Sequence, residues 1–330
     1  MFAQGELVLE LTDWCPLHCR HCSSQSGREC RNSIDLALAV RLLSEARRLG
    51  AVKIAFGGGE PTAAMAFSGA LSAAAELGLR TEVFTCGTGL ETSGLAPFPQ
   101  RLVALLSGLP ELKVIFSLHG PDAALHDAIT QSPSSFDCML TSIRACSDSG
   151  IRCEANFVPI RPNFTRFQEV VALAAELGVQ RVSVLRFVPQ GRGGQNRAEL
   201  ELSAAEEGAF VAALPRIQSA TGVDIRTGSP FNGIIPSNTV PCRAGASKLV
   251  VQADGNVLPC EVFKDARRRA WGLSVYNHTL AEVLMSPQLE ALRQRLAASR
   301  CLECPVHSAL REARSPGKEH AAKAETISAR

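Results

Sequence analysis

Residues 6–12, Glu-Leu-Val-Leu-Glu-Leu-Thr, alternate apolar and polar side chains with a period of two, the pattern of a β-strand. From Asp35 to Gly50 the period changes. Leu36, Ala39, Val40, Leu42, Leu43, Ala46 and Leu49 fall at helical spacing, with Ser33 placed to cap the start and Gly50 to stop the end. The two periods then alternate. Val52–Phe56 reads as a strand, a glycine turn follows at 57–59, and an Ala-rich helix ends near Leu77 and Gly78. Strands at 80–85, 112–118, 151–158 and 180–187 alternate with helices at 99–107, 136–149 and 165–177. Six strands alternating with helices predict an α/β fold of right-handed βαβ units with parallel strands. In such folds ligands gather at the carboxyl ends of the strands.

The pattern breaks at Gly191–Asn196 (GRGGQN), which reads as a loop, before a helix near 203–219 and a turn-rich stretch from Gly228 to Pro241. Beyond it the chain carries Cys242, Cys260, Cys301 and Cys304 among hairpin signals such as Ala253-Asp-Gly-Asn256. These shifts predict a first domain over 1–235, a small Cys-rich domain over 236–310 and a frayed polar tail over 311–330.

Composition narrows the partners. Of 330 residues 46% are hydrophobic and 20% charged, with a net charge of +2, so the electrostatic footprint of a nucleic-acid binder is missing. No apolar run reaches bilayer length, and MFAQGELVLE lacks the basic and apolar regions of a signal peptide. A cytoplasmic protein with no membrane partner is expected. In that reducing compartment twelve cysteines point to metal binding more than to disulfides.

Cys15, Cys19 and Cys22 lie on the loop leaving the first strand, in the segment WCPLHCRHCSS. A C-x3-C-x2-C loop offers three ligands to one inorganic centre and leaves a fourth position open, as catalytic metal sites require. Thiolates suit Fe–S clusters and zinc alike. A zinc knuckle completed by His18 or His21 is the competing reading. At the end of the second strand stands Gly57-Gly58-Gly59-Glu60-Pro61. Its glycines allow backbone to approach a ligand closely, and Glu60 offers a carboxylate to an ammonium group; a glycine turn kept for steric reasons is the alternative.

With these two motifs one βα unit apart, the chain resembles the radical S-adenosylmethionine (SAM) enzymes over about residues 6–190. Weaker signatures continue the resemblance. Phe84-Thr-Cys-Gly-Thr88 stands where the family often has T-N-G, with Cys86 for Asn. Phe116-Ser-Leu-His-Gly120 matches S-L-D-G, with His119 for Asp. His126-Asp127-Ala-Ile-Thr130 followed by Ser135-Phe136 matches H-D-x-I-R…S-F, with Thr130 for Arg. The resemblance implies a partial (β/α)6 TIM-like barrel. Cys15, Cys19 and Cys22 would hold a [4Fe-4S] cluster whose fourth iron binds the amino and carboxylate groups of SAM. Reductive cleavage would give a 5′-deoxyadenosyl radical that removes a substrate hydrogen. Backbone at Gly58 and Gly59, with Glu60, would hold the methionine ammonium. Ser117 and Asn156 are candidates for ribose or carboxylate contacts, with strand-end capping as their alternative. Arg186, at the end of strand six, is a candidate for the methionine carboxylate or the substrate, with an ion pair beneath the loop as its alternative.

Cys242 and Cys260 are spaced C-x12-G-x4-C, and Cys301 and Cys304 follow as C-x2-C. Folding at Gly255 brings two distant thiols to one centre, and four such cysteines taken alone suggest zinc. In this context they resemble the SPASM/twitch extension of radical SAM enzymes, which holds auxiliary Fe–S clusters. No cysteine follows Cys304, so the resemblance implies a single auxiliary [4Fe-4S] cluster. Of the remaining cysteines, Cys30, Cys138 and Cys146 read as fillers or surface thiols. Cys86 and Cys153 are candidates to donate a hydrogen atom to a substrate radical, with core packing as the alternative.

Three functions are weighed. The first is a radical SAM enzyme that modifies a peptide residue by cross-linking, epimerisation or oxidation, fed by a donor such as flavodoxin or ferredoxin. No peptide-recognition domain is visible before the barrel, since strand one starts near residue 6. The second is a dehydrogenase or cofactor-biosynthesis enzyme acting on a small metabolite. The third, from another class, is a non-catalytic zinc or Fe–S binding module.

Overall fold

The computed structural model describes residues 2–264 and 272–298. The predicted alternation is present. In chain order it runs β1 (Gly5–Thr12), α1 (Leu36–Arg48), β2 (Ala51–Gly58), α2 (Phe67–Glu76) and β3 (Arg80–Thr85). A short antiparallel hairpin, β4 (Gly89–Glu91) and β5 (Gly94–Ala96), leads into α3 (Gln100–Ser107) and β6 (Leu112–Ser117). Next come α4 (Ala123–Thr130), α5 (Ser135–Asp148), β7 (Arg152–Phe157), α6 (Phe167–Glu176) and β8 (Arg181–Val184). The last stretch holds α7 (Gly191–Gln195), α8 (Arg197–Leu200), α9 (Ala204–Thr221), β9 (Asp224–Thr227), β10 (Lys248–Val251), β11 (Val257–Leu258), α10 (Leu280–Leu284) and α11 (Pro287–Ala298).

One nine-stranded sheet runs β11-β10-β1-β2-β3-β6-β7-β8-β9, parallel throughout except for the β10–β11 hairpin. The six predicted strands lie side by side in chain order, as right-handed βαβ connections demand. Among the described residues no ladder joins the two ends of the sheet, so the barrel is partial. Two strands beyond the six extend it: β9 pairs with β8, and β10 pairs with β1. The hairpin turn predicted at 253–256 is present, with Gly255 at φ +81 and the Asn256 N–H donating to Asp254 Oδ1 at 3.1 Å.

Side chains alternate across each strand. Leu7, Leu9, Leu11, Ile54, Phe56, Val114, Phe116 and Phe157 face the helices and make the main core. The opposite face carries a belt of alternating charge. Lys53 Nζ lies 2.9 Å from Glu6 and 3.0 Å from Glu82; Lys113 Nζ lies 3.1 Å from Glu82 and 3.0 Å from Glu154. Arg181 continues the belt to Asp224 at 2.5 Å. Such pairs barely repay their desolvation, but a one-residue slip would turn every member to the wrong face, so the belt fixes register. Further along the same face Val8, Ala55 and Val250 pack against Ala244, Leu258, Phe263 and Leu292, so C-terminal segments cover the inner surface of β1, β2 and β10.

Several boundaries differ from expectation. The cap of α1 is Asp35, whose Oδ1 accepts from Leu38 N–H at 2.8 Å. Ser33 instead donates to the Leu11 carbonyl at 3.0 Å, because residues 32–34 still run beside β1. The last predicted strand stops at Val184, leaving Arg186 on the loop beyond it. The GRGGQN segment is helical rather than a loop, and α4 is a helix that the sequence reading missed.

Candidate active site

The loop after β1 is held on three sides by hydrogen bonds to its main chain. On the β2 side, the Gly59 and Glu60 N–H groups donate to the Thr12 and Trp14 carbonyls at 2.7 and 2.8 Å. At the end of α4, the His18 and Arg20 N–H groups donate to the Thr130 and Ile129 carbonyls at 3.1 and 2.9 Å. On the α7 side, Arg192 Nε donates to the Cys19 carbonyl at 3.0 Å and Asn196 Nδ2 to that of Arg20 at 3.0 Å. The loop closes on itself through Cys15 N–H to the Gly27 carbonyl and Cys22 N–H to that of Cys19, both at 3.2 Å. Lys264, from the C-terminal segment, bridges Glu10 on β1 and Ser24 just after the third cysteine.

These bonds gather Cys15, Cys19 and Cys22. Burial, and then the neighbouring Cys15 and Cys22, push the Cys19 thiol well up, while the Arg192 charge works against them. A buried Cys19 thiol that resists ionisation beside two further thiols is a donor that a cationic iron centre relieves. None of the ten described cysteines is in a disulfide. No group of three or more Cys, His, Asp or Glu side chains among the described residues converges as a cage for one metal ion. Of the two histidines that could complete a zinc knuckle, His18 is exposed and the His21 ring packs edge-on against His119 at 4.4 Å. Three thiols on one loop suit a cluster, in which each would bind a separate iron.

The three glycines play parts that the sequence did not distinguish. A Cβ on Gly59 would lie 2.0 Å from the Trp14 carbonyl oxygen, and one on Gly58, at φ +116, would lie 2.3 Å from that of Thr12. Both lie directly against the segment that leads into the cysteine loop. Gly57, in register with Glu10 on the inner face, has nothing within 4 Å of an added Cβ, so it is the glycine that borders open space. Glu60 is fully buried. Its Oε1 accepts from Thr62 N–H at 3.2 Å and Thr62 Oγ1 at 2.7 Å, and its Oε2 from Cys86 N–H at 2.8 Å. The Thr85 hydroxyl divides its single proton between both oxygens. Burial raises the Glu60 carboxyl, with the bonds from Cys86, Thr62 and Thr85 acting against that rise.

Ser117 and Asn156 are register partners at the ends of β6 and β7, half-buried, and neither side chain hydrogen-bonds to the described residues. Strand-end capping does not occupy them. Arg186 is committed elsewhere: Nε lies 2.9 Å from Glu207 Oε1 and Nη1 donates to the Pro230 carbonyl at 3.1 Å. The ion-pair alternative holds for it, because its strand ends three residues early. Cys86 sits at the barrel mouth beside Cys15 and Glu60. Cys153 lies on the helix-facing side of β7, paired with Cys146 of α5, and is away from the site. The H-D…S-F signature is structural: Asp127 accepts from Ser134 N–H, Ser135 Oγ and Phe136 N–H at 2.7, 2.8 and 2.9 Å, joining α4 to α5.

Sequence reasoning missed a histidine row. His119 packs against His21 on one side and stacks on His126 at 5.5 Å on the other. Burial lowers His21 and His126 to about 4 and His119 well below its ordinary range, so all three are neutral imidazoles. Only the single H-x6-H spacing of His119 and His126 hinted at it. Cys242 and Cys260 both pack on the apolar cluster over β1, β2 and β10. Lys248 lies 2.6 Å from Glu261 beside Cys260; burial raises the Glu261 carboxyl, but Lys248 outweighs it and holds the group at about 2. Cys301, Cys304 and the 311–330 tail lie outside the described residues.

Comparison with known proteins follows the same lines. Residues 9–174 match the model of the Radical SAM superfamily, and residues 242–305 match SPASM, an iron–sulfur cluster-binding domain. The chain belongs to the radical SAM superfamily and is an enzyme that uses a [4Fe-4S] cluster with SAM and carries an auxiliary Fe–S site. Among its relatives are the PqqA peptide cyclase of Methylocella silvestris, 29% identical across 91% of this chain and 79% of that one, and that of Ruegeria pomeroyi, 30% identical across 77% and 67%. In fold it is similar to Streptococcus suis SuiB bound to the precursor peptide SuiA, with a TM-score of 0.72 at 20% identity, covering 88% of this chain and 66% of that one. The anSMEcpe structure with bound AdoMet gives 0.66 at 14% identity, covering 87% and 82%. No described helix is long and apolar enough to cross a membrane.

Proposed function

We propose that this enzyme modifies a residue of a peptide, by cross-linking, epimerisation or oxidation. The observation that carries the reading is the likeness to peptide cyclases over most of the chain, spanning both cysteine regions. A [4Fe-4S] cluster with SAM, when bound, would supply one-electron cleavage of the sulfonium and with it the means to remove a substrate hydrogen atom. The chain's own residues do the rest. Cys15, Cys19 and Cys22 hold the cluster. Gly57 leaves room for the methionine end of SAM, while Glu60, fixed by Thr62, Thr85 and Cys86, presents Oε2 to its ammonium. Ser117 and Asn156 offer an unengaged hydroxyl and amide at the barrel mouth for ribose or carboxylate. The neutral row His21, His119 and His126 walls that mouth with aromatic surface and adds no charge to repel the sulfonium.

Cys242 and Cys260, with Cys301 and Cys304, complete the proposed auxiliary cluster, and a low-potential donor such as flavodoxin or ferredoxin supplies electrons. The ten described cysteines outside any disulfide support a reducing, cytosolic compartment. The test is anaerobic reconstitution with reductant and SAM. About eight irons per chain, two four-iron clusters, and 5′-deoxyadenosine whose formation rises with a peptide substrate are expected. Cys15→Ala should abolish cleavage and keep the auxiliary iron. Turnover stimulated by a small hydroxylated metabolite, with deuterium passing from it to 5′-deoxyadenosine, would replace the peptide with that substrate class.

A further inference from the structure

The short helix α7 has a composition, Gly-Arg-Gly-Gly-Gln, that no helix propensity explains. Its reason is the cysteine loop. A Cβ on Gly191, at φ +54, would meet the Cys22 carbonyl oxygen at 2.7 Å, and one on Gly193 would meet that of His21 at 2.9 Å. The glycines let α7 lie directly against the loop backbone, where Gly193 N–H also faces the Cys22 carbonyl at 3.4 Å. Between them Arg192 is only 6% exposed. Its Nε and Nη2 are spent on the carbonyls of Cys19 and Ser26, on either side of Cys22. Its third nitrogen, Nη1, is buried and has no partner among the described residues. No carboxylate is recorded as its ion-pair partner there either, although burying an unpaired guanidinium is costly.

We propose that Arg192 is a positioning residue for the radical SAM cluster, its guanidinium balancing the cluster's negative charge and Nη1 donating to a cluster sulfur. This rests on the cluster at Cys15, Cys19 and Cys22, and not on the identity of the substrate. Three thiolates around the iron–sulfur core make a net anion, and adding an electron makes it more negative. A fixed cation and an N–H···S bond favour the reduced form, so they raise the reduction potential. The two carbonyl bonds keep that charge in place and fix the curve of the loop at once.

The experiment compares full-length, anaerobically reconstituted wild type, Arg192→Lys, Arg192→Gln and Asn196→Ala without SAM. Redox titration is followed by electron paramagnetic resonance, and a Cys15→Ala sample identifies the auxiliary signal. Arg192→Gln should lower the ratio of reduced to oxidised cluster at the wild-type midpoint at least tenfold, a shift of about 59 mV for one electron. Arg192→Lys, which keeps the charge and loses the fork, should lie closer to wild type. Asn196→Ala, which loosens the loop at the Arg20 carbonyl and leaves the charge, should keep the wild-type midpoint. An unchanged midpoint in a fully iron-loaded Arg192→Gln, or equal shifts in all three variants, would overturn the proposal in favour of a purely structural clamp. A second measurement needs no variant. Wild-type protein labelled with [15N]arginine should show 15N hyperfine coupling to the reduced cluster, and its absence would overturn the proposal. Absence of any Cys15-dependent cluster signal in the wild type would refute the assignment of the cluster itself.

Discussion

Gly57, Gly58 and Gly59 are consecutive, yet an added methyl group should have opposite effects along them. At Gly59 the new Cβ would lie 2.0 Å from the Trp14 carbonyl oxygen and 2.5 Å from its carbon, both main-chain atoms that cannot swing aside. Relief requires the turn and the loop to part by about 1 Å, which breaks the Gly59–Thr12 and Glu60–Trp14 bonds. Overpacking costs about 1–3 kcal/mol and each buried polar pair left unmade about 1–3 kcal/mol, so with two pairs lost Gly59→Ala should cost at least about 3 kcal/mol. Gly58→Ala should lose a similar amount, since its Cβ meets the Thr12 carbonyl and its φ of +116 is foreign to an L side chain. Gly57→Ala should stay within about 0.5 kcal/mol of wild type. Anaerobic thermal melts followed by circular dichroism, with iron counted per chain, measure this. Gly59→Ala and Gly58→Ala should melt several degrees lower and hold less iron on Cys15, Cys19 and Cys22. Gly57→Ala should melt and load normally but bind SAM more weakly. Equal melting temperatures for the three would refute the claim that the turn packs on the cysteine loop.

Replacing Glu60 with Gln should weaken SAM binding more than cluster assembly. Either orientation of the amide sets its NH2 against a backbone N–H, of Thr62 or of Cys86, a mismatch of about 1–3 kcal/mol that equilibrium dialysis and iron analysis separate. His126 is lowered to about 4 by burial, and its Nδ1 accepts from the His119 N–H at 3.3 Å. The unfolded chain therefore binds a proton that the folded one refuses between pH 6.5 and about 4. Stability present above that window is lost as pH falls through it, by roughly 3 kcal/mol. His126→Phe should flatten the pH dependence of urea midpoints there, and an unchanged slope would count against a buried neutral imidazole. Replacing Cys301 and Cys304 with Ser should lower iron by up to one cluster per chain; unchanged iron would remove them from the ligand set.

Spacing alone determined what is local. The change of period from two to 3.6 marked the strands and helices of the barrel, because amphipathic faces must repeat with the geometry of their own element. Cys15, Cys19 and Cys22 were legible because all three ligands share one loop. The turn at Asp254-Gly255-Asn256 was equally local. Sheet register and packing between distant segments decided the rest. Arg192 is 173 residues from Cys19, and nothing in GRGG announces that its glycines make room for a carbonyl of another loop. Gly58 and Gly59 looked like ligand-binding glycines, and only packing showed that they face Thr12 and Trp14 while Gly57 borders open space. Arg186 and Cys153 resembled site residues in the sequence. One strand end three residues short, with Glu207 nearby, and one strand face turned to α5 set them apart from it. A side chain's period is set by its own backbone, whereas its partner is set by how distant strands align, and that alignment exists only in the folded sheet.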